Sequence, residues 1–486
     1  MTDQIPAINN AIGVIGEGLP ALVPEIVLSL GFVLLLVLDI LPKVSLTLLR
    51  ITTLVICAIV AYFCFERLSA PASTLFFDGV ALNPMVGLWQ LVFLAAIALT
   101  TIMDLQLTHA ERSREKSALL LSLGLGAFLM VISRHYLVMV IGIELVSMSS
   151  YVLVAMNGKK LGYEAGIKYL LFGALATAIM LYGISLIYGL TGSLGFSVFP
   201  TENAILVVMA IMVLMGMLFK LGAAPMHIWT PDVYQATPTS TVALFSVVPK
   251  LAGIGLLINW LQATGLWQNT LIQYTLALVA MLSILIGVLS AIWQQNVKRL
   301  MAYSAIANAG FLLLGIIPGT ELGISAVVFY AIIYFFMNYL TFYLLAGWEA
   351  HGWVELQSFS GRAKNNYYPA ILVVIAMISL TGLPPTAGFT GKLLLFSSLW
   401  SGLDQPVFQV LFAVAILSTV VSLFFYLKLP YQMTFKTSAE DHSGTSNGDL
   451  SKTSKWLATF LALPLFWLFI KSDFLLNFIQ LHIFAP

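Results

Sequence analysis

The stretch Phe219–Gly253 decides the fold, and it reads FKLGAAPMHIWTPDVYQATPTSTVALFSVVPKLAG. Lys220 ends one long apolar run, and Lys250 lies deep in the next. Between them lie His227, Asp232 and a cluster of prolines and glycine. Such a cluster frees backbone groups that lipid cannot satisfy, so it survives in a membrane only where protein or trapped water surrounds it. The stretch therefore predicts a broken membrane helix that carries charged residues.

The composition places the chain in a lipid bilayer. Of its 486 residues 60% are apolar and 9% are charged, whereas a soluble protein has about 25% charged residues. We therefore expect an all-α polytopic membrane protein. The net charge of +1 excludes no class of protein, because in a membrane the location of charge matters more than its sum. The sequence has no basic stripe or motif that would predict nucleic-acid binding.

Two local features complete this picture. The N-terminal segment has no basic region ahead of its first apolar run, so we expect no cleaved signal peptide. Cys57 and Cys64 lie on one predicted helix, separated by about 10 Å of helical rise, which is too far for a disulfide. We expect both cysteines to pack as small apolar side chains.

A spanning helix needs about 20 mostly apolar residues, and by this measure the chain has about fourteen candidate spans. Two of them, the seventh and the twelfth, are too long for a simple span and are interrupted, at LGAAP and at TGLPPTAGFTG. The predicted spans are 21–41, 45–65, 80–105, 117–133, 136–156, 163–190, 203–234, 239–262, 271–293, 300–317, 322–347, 367–400, 405–433 and 455–471.

The positive charges are distributed unevenly between the two sides of these spans. Fifteen of the 22 Lys and Arg residues fall in one set of alternate loops, three fall in the other set, and four lie inside spans. The positive-inside rule then places the basic loops in the cytoplasm and both termini on the outer or periplasmic side. A miscounted span would mix the two sets, so the asymmetry also supports about fourteen spans.

The two broken spans suggest an internal repeat. They lie five spans apart, each as the fourth member of a five-span set, and an odd number of spans inverts the second copy. We expect two inverted five-helix repeats, spans 4–8 and 9–13. The predicted organisation is an N-terminal three-helix segment (1–110), a first antiporter-like repeat (111–265), a second repeat (266–435), and a cytoplasmic loop with a last transmembrane helix (436–486).

Four charged residues within the spans are the strongest functional candidates. They are Glu144 in span 5, Lys220 at the first break, Lys250 in span 8 and Lys392 just after the second break. Each is costly in lipid unless it faces water or a partner, so such groups are functional by default. Glu144 is the natural partner of Lys220, and a lysine that alternates between an acid and an isolated site takes up and releases a proton. The alternative is a static ion pair that holds helices together.

Other polar residues are weaker candidates. Lys168 is a candidate for proton transfer, and the alternatives are that it snorkels to the membrane surface or forms a helical pair with Glu164 at i−4. His227 is a candidate proton relay near neutral pH. The alternative is that it only forms a hydrogen bond with a carbonyl freed at the break. Asp232 is expected to be a cap or loop contact.

Three acids at span ends, Asp39, Asp104 and Glu349, are left out of the site because an interfacial position costs little. The histidines show no ligand spacing, and no glycine-rich phosphate loop follows a strand. We therefore expect no metal or cofactor site in this chain.

Three motifs resemble one family. FKLGAAPMHIWTPDVYQATPT resembles the broken-helix signature of the antiporter-like subunits of respiratory complex I and of Mrp-type cation/proton antiporters. QNVKRLMAYSAIANAGFLLLG (Gln295–Gly315) resembles the segment leading into span 10, and LTGLPPTAGFTGKLLLF (Leu380–Phe396) resembles the second broken helix. The resemblance covers roughly residues 110–430, and the three motifs together are specific.

The resemblance implies a role for each charged residue in the spans. Glu144 matches the acid of span 5, Lys220 its paired lysine, Lys250 the connecting lysine of span 8 and Lys392 the terminal lysine of the second half-channel. One position departs from the pattern: many relatives have a histidine where this chain has Asn308. Because asparagine cannot titrate, the resemblance implies that a bound water bridges there.

The resemblance also implies a function at the level of a complex. It implies a proton-translocating membrane-arm subunit of NADH–quinone oxidoreductase in the cell (inner) membrane, with K-, M- and J-type subunits, the lipid bilayer and protons as its partners. NADH, FMN, the iron–sulfur clusters and quinone would all belong to other subunits.

Three features separate the branches of this family. The resemblance implies that an L-type subunit would need further spans and a long C-terminal lateral helix. It also implies that an M-type subunit would carry a glutamate where this chain has Lys392. Two other classes of function stay open: an Mrp-type sodium/proton antiporter subunit, and a structural scaffold with vestigial charges.

Overall fold

In the computed structural model the chain folds into a bundle of α-helices. The structure describes residues 13, 15–16, 18–106, 113–156, 158–198, 204–349, 351–364, 367–400, 402–436 and 452–483. The helices of this part are α1 Val23–Ile40, α2 Leu46–Arg67, α3 Pro84–Gln106, α4 Lys116–Ile132, α5 Tyr136–Ala155, α6 Lys160–Thr191, α7 Ala204–Leu221, α8 Thr230–Ala236, α9 Thr239–Thr264, α10 Thr270–Ile292, α11 Val297–Ile316, α12 Glu321–Glu349, α13 Tyr367–Thr381, α14 Ala387–Trp400, α15 Pro406–Tyr426, α16 Lys428–Phe435, α17 Lys452–Ile470 and α18 Ser472–Ile483.

A helix lies at each of the fourteen predicted positions. Twelve helices in the described residues are long and apolar enough to cross a membrane, and the helices Lys116–Ile132 and Tyr367–Thr381 are shorter and apolar. The all-α polytopic fold is therefore confirmed, while the number of helices that cross the bilayer and the inverted repeat stay predictions. Most of the polar loop predicted at 436–455 lies outside the described residues.

Three elements, two strands and one helix, had no counterpart in the prediction. Strands β1 (Ser73–Leu75) and β2 (Val80–Leu82) form an antiparallel pair in the connector after α2. The short helix α18 follows the last predicted span after a break at Lys471. Strands of three residues carry too few side chains for a period-two pattern to stand out.

The first and second broken helices end in the same way. At the end of α7 the N–H of Ala223 donates to the carbonyl of Leu218 at 3.1 Å. At the end of α13 the N–H of Leu383 donates to the carbonyl of Ile378 at 3.2 Å. These six-to-one bonds define a Schellman termination, which needs a left-handed residue just before the donor. Glycine supplies it in both breaks, with φ of +63° at residue 222 and +85° at residue 382.

Three pairs of helices at corresponding positions in the two predicted five-helix sets pack on each other. In the first five-helix set α4 packs on α5, α6 on α7, and α9 closes back on α4. In the second set α10 packs on α11, α12 on α13 and α14, and α15 closes back on α10. This common packing is what the repeat prediction expects.

Helix α9 is the centre of the bundle. The most apolar eighteen-residue window of α9 is entirely buried, as expected for a helix that is apolar on all sides. It contacts α3, α4, α7, α11 and α12. Because α9 carries Lys250, the fold places that lysine at the junction of the two helix sets.

Candidate functional site: a line of buried lysines

Three lysines lie inside the bundle. Lys220 is in the last turn of α7, Lys250 is in the middle of α9, and Lys392 is in the second turn of α14. Their exposed fractions are 2%, 3% and 3%. Burial of this extent is rare for lysine and is kept where the ammonium has partners or carries charge.

Lys220 is held by one hydroxyl and by aromatic rings. Its Nζ donates to Oγ of Ser147 at 2.5 Å. The same nitrogen lies 5.4 Å from the ring centroid of Phe219 and 5.8 Å from that of Tyr151, within cation–π range. Trp229, on the far side of the break, donates through Nε1 to the carbonyl of Phe219 at 3.3 Å. The aromatic side chains at the break therefore form one wall of the lysine site.

Glu144 does not form an ion pair with Lys220 in the described residues. Its Oε1 accepts a 2.6 Å hydrogen bond from Oγ1 of Thr177 on α6. Glu144 and Ser147 are three residues apart on α5, so they share one face of that helix. In this structure Lys220 therefore bonds Ser147 and not Glu144. Both acceptors, the Ser147 hydroxyl and the Glu144 carboxylate, lie on one face of α5. The partner of Glu144 is therefore Thr177, which lies on a third helix, α6. No spacing in the sequence connects that residue with this site.

Lys250 bonds the backbone of a neighbouring helix. Its Nζ donates to the carbonyl of Ala305 on α11, which has a second lone pair beyond the one used inside the helix. The nitrogen also lies 5.8 Å from the ring centroid of Tyr334. One turn along α9, a Cβ built on Gly253 would lie 3.6 Å from Cβ of Lys220. The first two lysines of the line are therefore on helices in close contact.

Lys392 bonds the backbone that the second break has freed. Its Nζ donates to the carbonyls of Leu380 and Thr381 at 3.1 and 2.9 Å, and it lies 4.5 Å from the ring centroid of Phe311. A Cβ added at Gly382 would come within 2.7 Å of Cδ of Lys392. Glycine at this position therefore both ends α13 and leaves room for the lysine stem.

Helix α11 connects the second and third lysines. Ala305, Asn308 and Phe311 follow at three-residue spacing on it, with Ala305 at Lys250 and Phe311 at Lys392. These two contacts are about 9 Å apart along the axis. Asn308 lies between them.

The side chain of Asn308 is surrounded by hydroxyl groups. Its Oδ1 accepts from Tyr330 Oη at 2.6 Å, and its Nδ2 donates to the carbonyl of Ser304 at 3.0 Å and lies 3.3 Å from Tyr426 Oη. Ser304 and Tyr426 are themselves hydrogen-bonded at 2.5 Å. The predicted water bridge at Asn308 stays a prediction, and the tyrosine hydroxyls are additional groups that sequence spacing did not reveal.

The remaining predicted residues lie at the first break. Lys168 pairs with Glu164 at 2.9 Å, as predicted, and also with Asp232 at 3.0 Å. Asp232 pairs in addition with Arg299 at 2.6 Å, so it links α6, α8 and α11 rather than acting as a simple cap. The side chain of Lys168 is 43% exposed, which separates it from the three buried lysines. His227 is partly buried in the segment between α7 and α8.

Sequence reasoning missed two clusters of ion pairs near helix ends, one of them buried and the other partly exposed. Asp104 pairs with Lys116 at 2.9 Å and accepts from Ser240 Oγ at 2.6 Å. Glu349 pairs with Lys298 at 2.7 Å. The sequence placed Asp104 and Glu349 at span ends but did not show these ion-pair partners. A signal existed, because Thr239 and Ser240 begin the most buried helix with hydroxyls suited to bind carboxylates.

A third missed cluster lies among α1, α2 and α3. Arg67 pairs with Glu25 at 2.8 Å, and its NH1 donates to Oε1 of Gln90 at 2.6 Å. Gln90 in turn donates to Glu25 at 2.6 Å. Arg67 is buried at the end of α2, and no sequence pattern marked it as the partner of Glu25. The two cysteines are free and buried, as predicted.

These groups suit proton transfer and show no ligand set for a metal. In the part of the chain that the structure describes, no three His, Cys, Asp or Glu side chains come together to hold an ion. The site consists of three buried lysine amines whose partners are hydroxyls, carbonyls and aromatic rings. Helix α11 contacts two of these lysines, Lys250 and Lys392. The class defined by this fold and site is a multi-helix membrane protein with paired broken helices and internal lysines.

Comparison with known proteins identifies that class. Residues 133–421 match the family described as NADH:quinone oxidoreductase/Mrp antiporter, TM. The chain is 34% identical over 468 residues to NADH-quinone oxidoreductase subunit N 2 of Chloroherpeton thalassium, covering 91% of each protein. The chain belongs to this antiporter-like family, as a member of its NADH-quinone oxidoreductase subunit N group.

Solved structures give the same fold. A chain of respiratory complex I from Thermus thermophilus with bound aureothin superposes with a TM-score of 0.79 at 28% identity, covering 93% of this chain and 98% of that one. A chain of the Mrp complex from Dietzia sp. superposes with a TM-score of 0.81 at 18% identity, covering 96% and 98%. At that identity the second likeness concerns the fold alone.

Proposed function

We propose that this chain is a proton-translocating membrane-arm subunit of NADH–quinone oxidoreductase. Protons move along the membrane plane through Glu144, Lys220, Lys250 and Lys392, while electron transfer from NADH to quinone takes place in other subunits. The chain supplies the translocase part of the reaction and holds no redox group of its own. NADH, FMN, iron–sulfur clusters and quinone belong to the complex as a whole.

The observation that carries this proposal is the contact of one helix with two buried lysines. Helix α11 meets Lys250 at Ala305 and Lys392 at Phe311, with the polar Asn308 cluster between them. A purely structural scaffold would not need polar side chains between Lys250 and Lys392. Burial of cations also costs several kcal/mol unless they work or pair, and these two lysines have no acidic partner among the ion pairs of the described residues.

Ser147 and Glu144 offer Lys220 two alternative acceptors on one face of α5. When the lysine bonds the hydroxyl it is free to pass a proton towards Lys250, and when it pairs with the carboxylate it holds its charge. His227 and Lys168 complete the proposed set at the first break, where Lys168 connects the break to Asp232 and α6. This alternation is the physical form of the proposed pump.

We also propose the membrane location, the orientation and the partner subunits of the protein. It is a multi-pass protein of the cell (inner) membrane with both termini on the outer side, because the positive charges favour that orientation. Its partners are the neighbouring membrane-arm subunits of the K, M and J types. An Mrp-type sodium/proton antiporter subunit is the second candidate, because the family that matches residues 133–421 is described as NADH:quinone oxidoreductase/Mrp antiporter.

One experiment tests the proposal against both the antiporter and the scaffold. Complex assembled with Lys220→Ala, Glu144→Ala or Lys392→Ala is placed in sealed vesicles, and proton uptake is measured during NADH oxidation. The proposal predicts that each variant assembles and loses most proton uptake per NADH. Unchanged uptake per NADH would refute it, and sodium-dependent proton flux without NADH would favour the antiporter.

A further inference from the structure

A cavity of about 330 Å³ lies between the start of α1 and the end of α2, beside the β1–β2 hairpin. Its volume is at the lower end of the range of ligand pockets. Most of its lining is apolar and includes Pro20, Val23, Phe63, Ala70 and Pro71. Its polar lining residues are Glu66, Arg67, Ser73 and Asn83. None of the residues proposed to carry protons lines this cavity, so proton transfer does not account for it.

Buried polar contacts fix the shape of this cavity. Arg67, at the end of α2, pairs with Glu25 of α1 at 2.8 Å, and both side chains are 6% exposed. The guanidinium of Arg67 also donates through NH2 to the carbonyl of Ala21 at 2.6 Å. Because Ala21 and Arg67 both line the cavity, these contacts hold its two walls at a set distance. A site that is formed before its ligand arrives is typical of ligand pockets.

Glu66 gives the cavity a negative charge without a counter-ion. The charge of Arg67 is compensated by Glu25, whereas Glu66 is exposed and takes part in no ion pair of the described residues. Asn83 adds neutral donors, because its Oδ1 accepts from the N–H of Val86 at 2.9 Å and its amide nitrogen keeps two N–H groups. A carboxylate next to neutral donors suits a ligand that carries a cationic group beside an anionic one.

The surface next to the cavity indicates that this ligand is a lipid. Apolar side chains of α1 and α2 are exposed along the length of both helices, for example Leu30 on α1 and Val55 and Ile59 on α2. In a bilayer such a surface contacts acyl chains. Tyr62, in the last two turns of α2, is 61% exposed, and tyrosine is enriched at the level of the lipid headgroups. The cavity therefore lies where an acyl-chain surface meets the headgroup layer.

We propose that this cavity binds the headgroup of a phospholipid with a primary ammonium group, of the phosphatidylethanolamine type. The lipid belongs to the leaflet opposite to the basic loops, where the predicted topology puts the start of α1. Its ammonium pairs with the carboxylate of Glu66, and its phosphate accepts from the amide of Asn83 and the hydroxyl of Ser73. Its acyl chains lie along the exposed apolar sides of α1 and α2. A headgroup with a phosphate and no amine is repelled by Glu66 and binds less well.

The test uses the assembled complex in nanodiscs of phosphatidylcholine with a small amount of photoreactive phosphatidylethanolamine. The photoreactive group is a diazirine at the start of one acyl chain, and the residues that it labels are identified by mass spectrometry. We expect labels within residues 20–24 and 63–71, which border the cavity. Unlabelled phosphatidylethanolamine should displace the probe at a concentration roughly threefold lower than phosphatidylglycerol, because a partly exposed ion pair contributes a factor of this size.

Two glutamate variants separate the proposed contact from a general effect of surface charge. Glu66→Gln removes the charge and keeps the size of the side chain, so it should abolish the preference for the ammonium lipid. Glu321→Gln is the matched control, because Glu321 is also exposed, at the start of α12, and does not line the cavity; it should keep the preference. Equal displacement by the two lipids, or an unchanged preference in Glu66→Gln, would overturn the proposal. Absence of label in both ranges would overturn it as well, and would mean that a neighbouring subunit fills the cavity.

Discussion

Replacement of Ser147 by alanine should change which group holds Lys220. The hydroxyl accepts the Lys220 ammonium at 2.5 Å, and a hydrogen bond to a charged group contributes about 1.5–3 kcal/mol. Since 1.4 kcal/mol corresponds to a factor of ten, its loss weakens the Ser147-bound position by roughly ten- to hundredfold. Glu144 is on the same face of α5, so the lysine should move to the carboxylate and stay there. Proton pumping per NADH should fall while the complex still assembles.

The assay for Ser147→Ala is NADH-driven proton uptake in vesicles, with assembly checked by native gel electrophoresis. Ser150→Ala is the matched control, because the hydroxyls of both serines donate to the carbonyl four residues earlier, Ser147 to Ile143 at 2.6 Å and Ser150 to Val146 at 2.7 Å. Ser147→Thr should restore pumping because it keeps the hydroxyl. Equal pumping in the two alanine variants would refute the alternation of Lys220 between hydroxyl and carboxylate.

Three further predictions concern other contacts. Phe311→Leu removes the ring whose centroid lies 4.5 Å from Nζ of Lys392, and a desolvated cation–π contact contributes about 2 kcal/mol. The initial rate of NADH-driven acidification should therefore fall severalfold. A rate equal to that of the wild type would contradict this. Asp232→Asn removes two partly exposed ion pairs, and exposed pairs contribute little to stability, so the thermal unfolding temperature of the complex should fall only slightly, and the fall should shrink in high salt. Glu25→Gln leaves Arg67 buried without its acid, which should cost about 3–5 kcal/mol and reduce assembly as measured on native gels, whereas normal assembly would show that Gln90 alone suffices.

Much of the architecture could be predicted because it depends on local patterns. Apolar runs of membrane length gave the helix positions, and the glycine and proline clusters gave both breaks with a lysine beside each. Lys220, Lys250 and Lys392 stood out because a charge within an apolar run is visible without any tertiary information. The family resemblance then supplied an order for these residues.

The contacts of the site depend on helices far apart in the sequence. Ser147 was a small polar residue among several on α5, and only its distance to Lys220 distinguishes it. Thr177 reaches Glu144 from α6, and Tyr426 reaches Asn308 from α15. No spacing rule joins such residues, so the sequence predicted Glu144 as the partner of Lys220 but did not reveal the hydroxyl of Ser147, which accepts from Lys220 in this structure.

The residues at helix ends were misjudged for a related reason. A sequence shows that Asp104 and Glu349 lie at the ends of apolar runs, but it does not show which helices cover them. The fold places the start of α9 between the ends of α3 and α12, and this arrangement buries Asp104 and binds Glu349. Burial at a helix end is thus a tertiary property, which a sequence pattern alone does not show.

The central claim is that Lys250 passes protons between the two broken helices. The most direct measurement is the number of protons taken up per NADH oxidised by complex that carries Lys250→Ala, assembled and sealed in vesicles. The account predicts that NADH oxidation slows and that proton uptake per NADH falls below the wild-type value. Wild-type proton uptake per NADH in the assembled Lys250→Ala complex would contradict it.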